Sequence, residues 1–182
     1  MDTSPFKDQM QKAFNYLENE FKHLQLGRAS AGLVENITVS SSYGDMKLPQ
    51  IAHVTILDTQ TLKIEPWDKK ECANITKAIY DAELGITPQN ESSHVLIKIP
   101  PLTQERRTEI SRRVKVMGED TKAKIRIARQ DAMKTTKKLL ENKEISENEN
   151  KINESNIEDL TKEFNNKVDN LVNTKTEEVM KI

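Results

Sequence analysis

Leu26-Gly27-Arg28-Ala29-Ser30 and Ile99-Pro100-Pro101-Leu102-Thr103-Gln104-Glu105-Arg106-Arg107 are the two stretches at which this chain changes structural period. Before Gly27 the apolar residues Met10, Phe14, Leu17, Phe21 and Leu24 recur at spacings of four and three, the seam of an amphipathic helix. After Thr103 the helical spacing returns through Ile110, Val114, Met117, Ile125, Ala128, Ala132 and Leu139, with Thr121 and Thr135 filling intermediate steps. Between the two stretches apolar and polar residues alternate as in strands. The pattern predicts a discontinuous helical body, residues 1–28 and 104–182, interrupted by an inserted domain, residues 29–103. The two crossings form a hinge: Gly27, Arg28, Ala29 and Ser30 on the way in, Pro100, Pro101, Leu102 and Thr103 on the way back.

End signals bound the long helices. Ser4-Pro5 opens the first, with Ser4 as candidate cap, and Gly27 is its natural stop. Pro100-Pro101 holds the backbone extended before Thr103, which caps the second helix. About 40 residues at ~1.5 Å each make that helix a rod of roughly 60 Å, longer than a core alone requires. Ser146-Glu147-Asn148-Glu149 reads as a capping box for a third helix, whose seam is Ile157, Leu160, Phe164, Val168, Leu171, Val179 and Ile182. Three long helices with one apolar face each bury those faces together, so the body is an elongated three-helix bundle.

The insert reads as a small β/α/β unit, making the whole chain α+β and mainly α. Its strands are expected at residues 34–40, 46–48, 53–57, 62–65 and 95–99, with a loop at residues 87–93. Asp68 to Glu71 resembles a capping box for its one helix, which buries Ile75, Ala78, Ile79 and Ala82 and stops at Gly85.

The net charge of −1 conceals segregation. Residues 103–143 hold thirteen basic against six acidic side chains, or +7. Residues 146–182 hold five against nine, or −4, and residues 30–102 six against nine, or −3. One positive helix in a mildly acidic protein is a phosphate-seeking edge, or else neutralises the third helix across the bundle. Lys115, Lys122, Arg126 and Arg129 each follow a seam position by one residue, and Arg112 extends the row, so they flank the seam along one side of the rod.

Catalytic constellations are missing from the sequence. His23, His53 and His94 lie on different elements, and none has a second imidazole at metal-ligand spacing. Gly27 to Gly32 has the spacing of half a phosphate loop, but Leu33-Val34 stands where Lys and Ser/Thr are required. The single Cys72 cannot form an internal disulfide, which suits a reducing cytosol. No apolar run reaches membrane-span length, and residues 1–5 do not open a targeting segment. Neither cofactor nor metal is indicated.

Six motifs together carry a resemblance. Gly27-Arg28-Ala29-Ser30, Pro66-Trp67-Asp68, Leu84-Gly85-Ile86-Thr87-Pro88, Pro100 to Arg107, Ile125 to Ala132 and Lys143 to Glu147 resemble, in order and at matching spacing, the ribosome recycling factor family. The resemblance implies a cytoplasmic, monomeric, non-enzymatic translation factor with an L-shaped outline close to that of tRNA. It implies action on the post-termination 70S ribosome: with elongation factor G and GTP, subunits are split and messenger and tRNA released. The bundle would then bind large-subunit ribosomal RNA through Arg28, Arg106, Arg107, Arg112, Lys122, Arg126 and Arg129, and the insert would face elongation factor G. Gln25 and Gln130 stand where the family commonly carries a cation, so no RNA contact is transferred to them. The alternative from a different class is a helical adaptor that binds a protein partner without RNA.

Overall fold

The computed structural model describes residues 1–181; the expected seam position Ile182 lies outside them. In chain order the elements are α1 (Ser4–Lys22), β1 (Thr38–Ser41), β2 (Gly44–Lys47), α2 (Leu48–Ile51), β3 (Ala52–Asp58), β4 (Thr61–Pro66), α3 (Cys72–Asp81), β5 (Thr87–Asn90), β6 (Val95–Lys98), α4 (Gln104–Glu141) and α5 (Glu147–Met180). Two compact units result, one formed by Met1–Lys22 with the chain from Glu105 onward, the other by His23–Gln104.

In the helical unit α1 buries Met10, Ala13, Leu17 and Phe21. The helix ends at Lys22 rather than at Gly27. Residues beyond it are taken by the other unit, where Gln25 Nε2 donates to the Leu84 carbonyl at 2.6 Å and the His23 ring meets the Asn36 amide. Its start is capped from before Ser4: Asp2 Oδ1, two residues back, accepts the Ser4 N–H at 2.9 Å, and the Thr3 carbonyl takes those of Phe6 and Lys7. On α5 the Ser146/Glu149 capping box is reciprocal, with bonds of 2.8 and 3.2 Å.

The seam of α4 runs through Ile110, Val114, Gly118, Thr121, Ile125, Ala128, Ala132 and Thr136. Thr136, rather than the expected Thr135, is the buried threonine: Thr135 bonds back to the Asp131 carbonyl, while the Thr136 hydroxyl donates to Asn150 Oδ1 and accepts from Asn153 Nδ2, both at 3.0 Å. Leu160 and Leu171 of α5 sit half-buried at the margin, and the buried polar groups Asn150, Asn153 and Thr161 take seam places beside Ile157, Phe164 and Val168.

Gly118 lets α4 approach α5 closely. A Cβ there would lie 2.5 Å from Val172 Cγ2, and a β-branched residue in a helix has little rotamer freedom to retreat. Gly118→Val is therefore expected to cost about 1–3 kcal/mol by overpacking, seen as a lower midpoint in thermal unfolding followed at 222 nm.

In the second unit β1 and β2 form a hairpin, and β3-β4-β6-β5 form an antiparallel sheet. Val34, Ile37, Val39, Leu48, Ile51, Leu62, Ile64, Ile75, Ile79, Val95 and Ile97 make its core. Three expectations are corrected. The first strand begins only at Thr38, because Ser30 Oγ accepts the Gly32 N–H and starts a 3-10 turn over Ala31–Leu33. The second ends at Lys47, because the short α2 begins at Leu48 with Pro49 in its first turn. Residues 87–90, expected as loop, are β5, paired from Thr87 with Lys98 to Asn90 with Val95. Pro88 is tolerated there because β5 is an edge strand.

Glu71 is a further correction. It is 1% exposed, not a solvated cap, and its carboxylate accepts the Ser42 N–H at 3.1 Å and Asn74 Nδ2 at 2.9 Å, tying the β1–β2 turn to α3. The Asn74 bond first, then those of Ser42, hold the Glu71 carboxyl below its ordinary value, against the opposing effect of burial. A depressed folded-state value stabilises the unit above the ordinary carboxylate range, and that stabilisation is lost as pH falls through the folded value. Glu71→Gln is expected to destabilise the unit by about 1–3 kcal/mol near pH 7, with the deficit vanishing in acid, in urea titrations read by the chain's one tryptophan, Trp67.

Candidate nucleic-acid interface

The basic side chains of α4 stand where the seam puts them. Val114, Thr121, Ile125 and Ala128 are all buried, so Lys115, Lys122, Arg126 and Arg129, each about 100° further around the helix, emerge along one side of it. Their surroundings differ. Arg129 Nε donates to Glu158 Oε1 at 2.9 Å, a second guanidinium nitrogen reaches the same oxygen, and Lys122 pairs with Asp169 of α5 and with Glu119 at 3.6 Å. Neutralisation across the bundle is thus what Lys122 and Arg129 do. Arg112, Lys115 and Arg126 are exposed and have no carboxylate partner among the described residues.

The pairing leaves its mark on titration. Asp169 raises Lys122 above the ordinary lysine value, the hydrogen bond from Arg129 holds Glu158 below the ordinary carboxylate value, and Glu158 raises Arg129 in return. Both Arg129 and Glu158 are about two-fifths exposed, and pairs of this kind contribute roughly 0–1 kcal/mol because water screens them. Such a pair can exchange its carboxylate for a phosphate at little cost.

At the start of α4, Arg106 Nη1 pairs with Glu109 at 2.7 Å, and half-buried Arg107 donates to the Lys181 carbonyl. Arg28 is an exposed cation of the other unit. One cation contact was invisible in the sequence: Lys124 Nζ lies 4.6 Å from the centre of the Tyr16 ring, joining α4 to α1. Only the fold brings those two residues together.

The expected hinge residues form a close crossing inside the second unit. Gly27 has φ +69°, and a Cβ there would come within 2.8 Å of the Leu102 nitrogen and 3.4 Å of the Pro100 oxygen. The Ala29 N–H bonds the Thr59 carbonyl at 2.8 Å and the Ile99 N–H bonds the Gln60 carbonyl at 2.7 Å. The incoming and outgoing segments are therefore pinned to the same β3–β4 turn. Ser30 caps the 3-10 turn, Pro100 and Pro101 are exposed, and Thr103 directly precedes α4.

Among the described residues no group of three or more His, Cys, Asp or Glu side chains is placed to hold a metal ion. Among the described residues no helix is long and apolar enough to cross a membrane. Cys72 is buried, and burial pushes its thiol up, away from the thiolate form a nucleophile requires.

Comparison with known proteins resolves the family. The family model described as ribosome recycling factor matches residues 17–180. The chain belongs to the ribosome recycling factor family. A ribosome-recycling factor of Nitratiruptor sp. is 38% identical and one of Bacillus licheniformis 37% identical, each over 176 residues covering 97% of this chain and 95% of the relative. A solution structure of a ribosome recycling factor matches with TM-score 0.83 at 28% identity, covering 99% of this chain and 96% of the other. A T. thermophilus ribosome recycling factor, from models that also contain E. coli elongation factor G bound to the E. coli post-termination complex, matches with TM-score 0.66 at 35% identity over the whole of both chains. The three-helix unit and the small β-containing unit are thus the architecture of ribosome recycling factors.

Proposed function

We propose that this protein works in the cytoplasm after translation termination, without catalysing a reaction itself. It binds the post-termination 70S ribosome and, with elongation factor G hydrolysing GTP, promotes subunit splitting and release of messenger and tRNA. The observation that carries this reading is the family match over residues 17–180 joined to a long helix, α4, on which Arg112, Lys115 and Arg126 are exposed with no carboxylate partner among the described residues. Arg112 and Arg126 make the first contacts with large-subunit ribosomal RNA, helped by Arg28, Arg106 and Arg107. Lys122 and Arg129 join by trading Asp169 and Glu158 for phosphates. Arginine suits this role because its planar fork can pair with phosphate and also stack on bases.

The small unit faces elongation factor G and turns about Gly27 to Ser30 and Pro100 to Thr103, so that a push on it is delivered to the bundle as through a lever. Short linkers confine rotation to one place, and a long packed helix transmits the displacement. The deciding experiment follows light scattering of post-termination ribosomes after addition of this protein, with and without elongation factor G and GTP. Factor-dependent splitting supports the reading. Splitting by the protein alone, or none under any condition, counts against it. A helical adaptor that avoids RNA would instead bind its partner with little salt dependence, whereas phosphate contacts weaken steeply with salt.

A further inference from the structure

In the small unit the chain's only tryptophan stands 70% exposed. It is not a loose surface side chain. Its indole N–H donates to the Gln50 carbonyl at 3.2 Å, its backbone N–H bonds the Ile51 carbonyl at 3.0 Å, and the His53 ring stacks beside it with centroids 6.5 Å apart at 29°. The ring is thereby held in one orientation before any partner arrives. Trp67 and His53 line a hollow of about 420 Å³ together with Pro49, Val54 and the exposed Glu35.

At 70% exposure the ring adds little to the core of the unit and leaves most of its surface to a partner. Rigid, exposed aromatics that present a large face at low entropic cost are the usual anchors of protein interfaces. The chemistry of the occupant follows from the walls. An aromatic face attracts a cation, a carboxylate on the same hollow pairs with it, and the surrounding segment, residues 30–102, carries net −3, which repels nucleic acid. We propose that this hollow receives an arginine or lysine side chain of the protein partner, placed between the Trp67 ring and Glu35. The inference rests on the reading above, in which that partner is elongation factor G, and it names the site on this chain where the factor gains its hold.

The test uses the full-length protein and four variants: Trp67→Ala, Trp67→Phe, Glu35→Gln and Glu35→Arg, each first checked for native ellipticity and melting. Two quantities are measured: binding to ribosomes without the factor, by pelleting, and the concentration of elongation factor G that half-saturates splitting. Ribosome binding is expected to stay within twofold of wild type throughout. The half-saturating concentration should rise about tenfold for Trp67→Ala and more for Glu35→Arg, rise less for Glu35→Gln, and stay within threefold for Trp67→Phe, which keeps an aromatic face. Unchanged half-saturation in folded Trp67→Ala and Glu35→Arg overturns the site. Loss of ribosome binding without the factor also overturns it, because the hollow would then be a ribosome contact. A wild-type protein that splits no ribosomes sinks the underlying reading and the site with it, whereas an active wild type with indifferent variants sinks the site alone.

Discussion

Arg112→Glu combined with Arg126→Glu is expected to weaken binding to the large ribosomal subunit by 100-fold or more, with no loss of helical ellipticity. Both side chains are exposed and without a carboxylate partner among the described residues, so reversing them removes no contact on which the fold depends. Each charge-assisted contact is worth roughly 1.5–3 kcal/mol, and two lost contacts amount to about 3–6 kcal/mol, or a factor above 100. Reversal also adds repulsion from neighbouring phosphates. Arg129→Ala should cost less, about tenfold, because that guanidinium must first leave Glu158 before it can reach RNA. Pelleting across a salt series provides the check: the double variant should show a shallower salt dependence as well as a lower affinity, since fewer counterions are displaced. Wild-type binding by the double variant would return the row to ordinary solvated surface and move the RNA contact to another face.

The contrast between Arg126 and Arg129 shows where the sequence stops being legible. Helical spacing alone locates both beside the buried seam, because that depends only on the ~3.6-residue period. Whether each faces solvent or a carboxylate depends on the sliding register of α4 against α5, which brings Glu158 to Arg129 across 29 positions of chain. The same distinction runs through the fold. The seam of α5 through Ile157, Phe164 and Val168 was readable from period, whereas Asn150 and Asn153 look like surface residues until Thr136 is placed opposite them. Glu71 looked like a cap because Asp68 precedes it by three; it is buried because the β1–β2 turn, 29 residues earlier, delivers the Ser42 N–H to it. Residues 87–90 looked like loop because of Pro88, a residue a strand can hold only at a sheet edge, and the edge is a property of topology.

Gly27→Val should strongly destabilise the small unit. At φ +69° any residue with a Cβ carries a strain of roughly 1–2 kcal/mol, and here that Cβ would also sit 2.8 Å from the Leu102 backbone nitrogen and 3.0 Å from Leu102 Cγ. At Gly118 the obstacle is a side-chain methyl group, Val172 Cγ2; at Gly27 it is main chain. Retreat is blocked on both sides, because the Ala29–Thr59 and Ile99–Gln60 hydrogen bonds pin the two segments to the same turn. Strain and overpacking together should cost about 2–5 kcal/mol. With a slope of about 1–3 kcal/mol per molar urea, the Trp67 fluorescence transition should move down by roughly 0.7–5 M. Ellipticity at 222 nm, dominated by α1, α4 and α5, should keep its midpoint, and Gly27→Ala should fall between the variant and wild type. Factor-dependent splitting should slow in the same order, while ribosome binding through α4 persists. Equal fluorescence midpoints for Gly27→Val and wild type would mean that the two segments can separate freely, in which case the crossing is a slack tether and cannot act as the pivot of a lever.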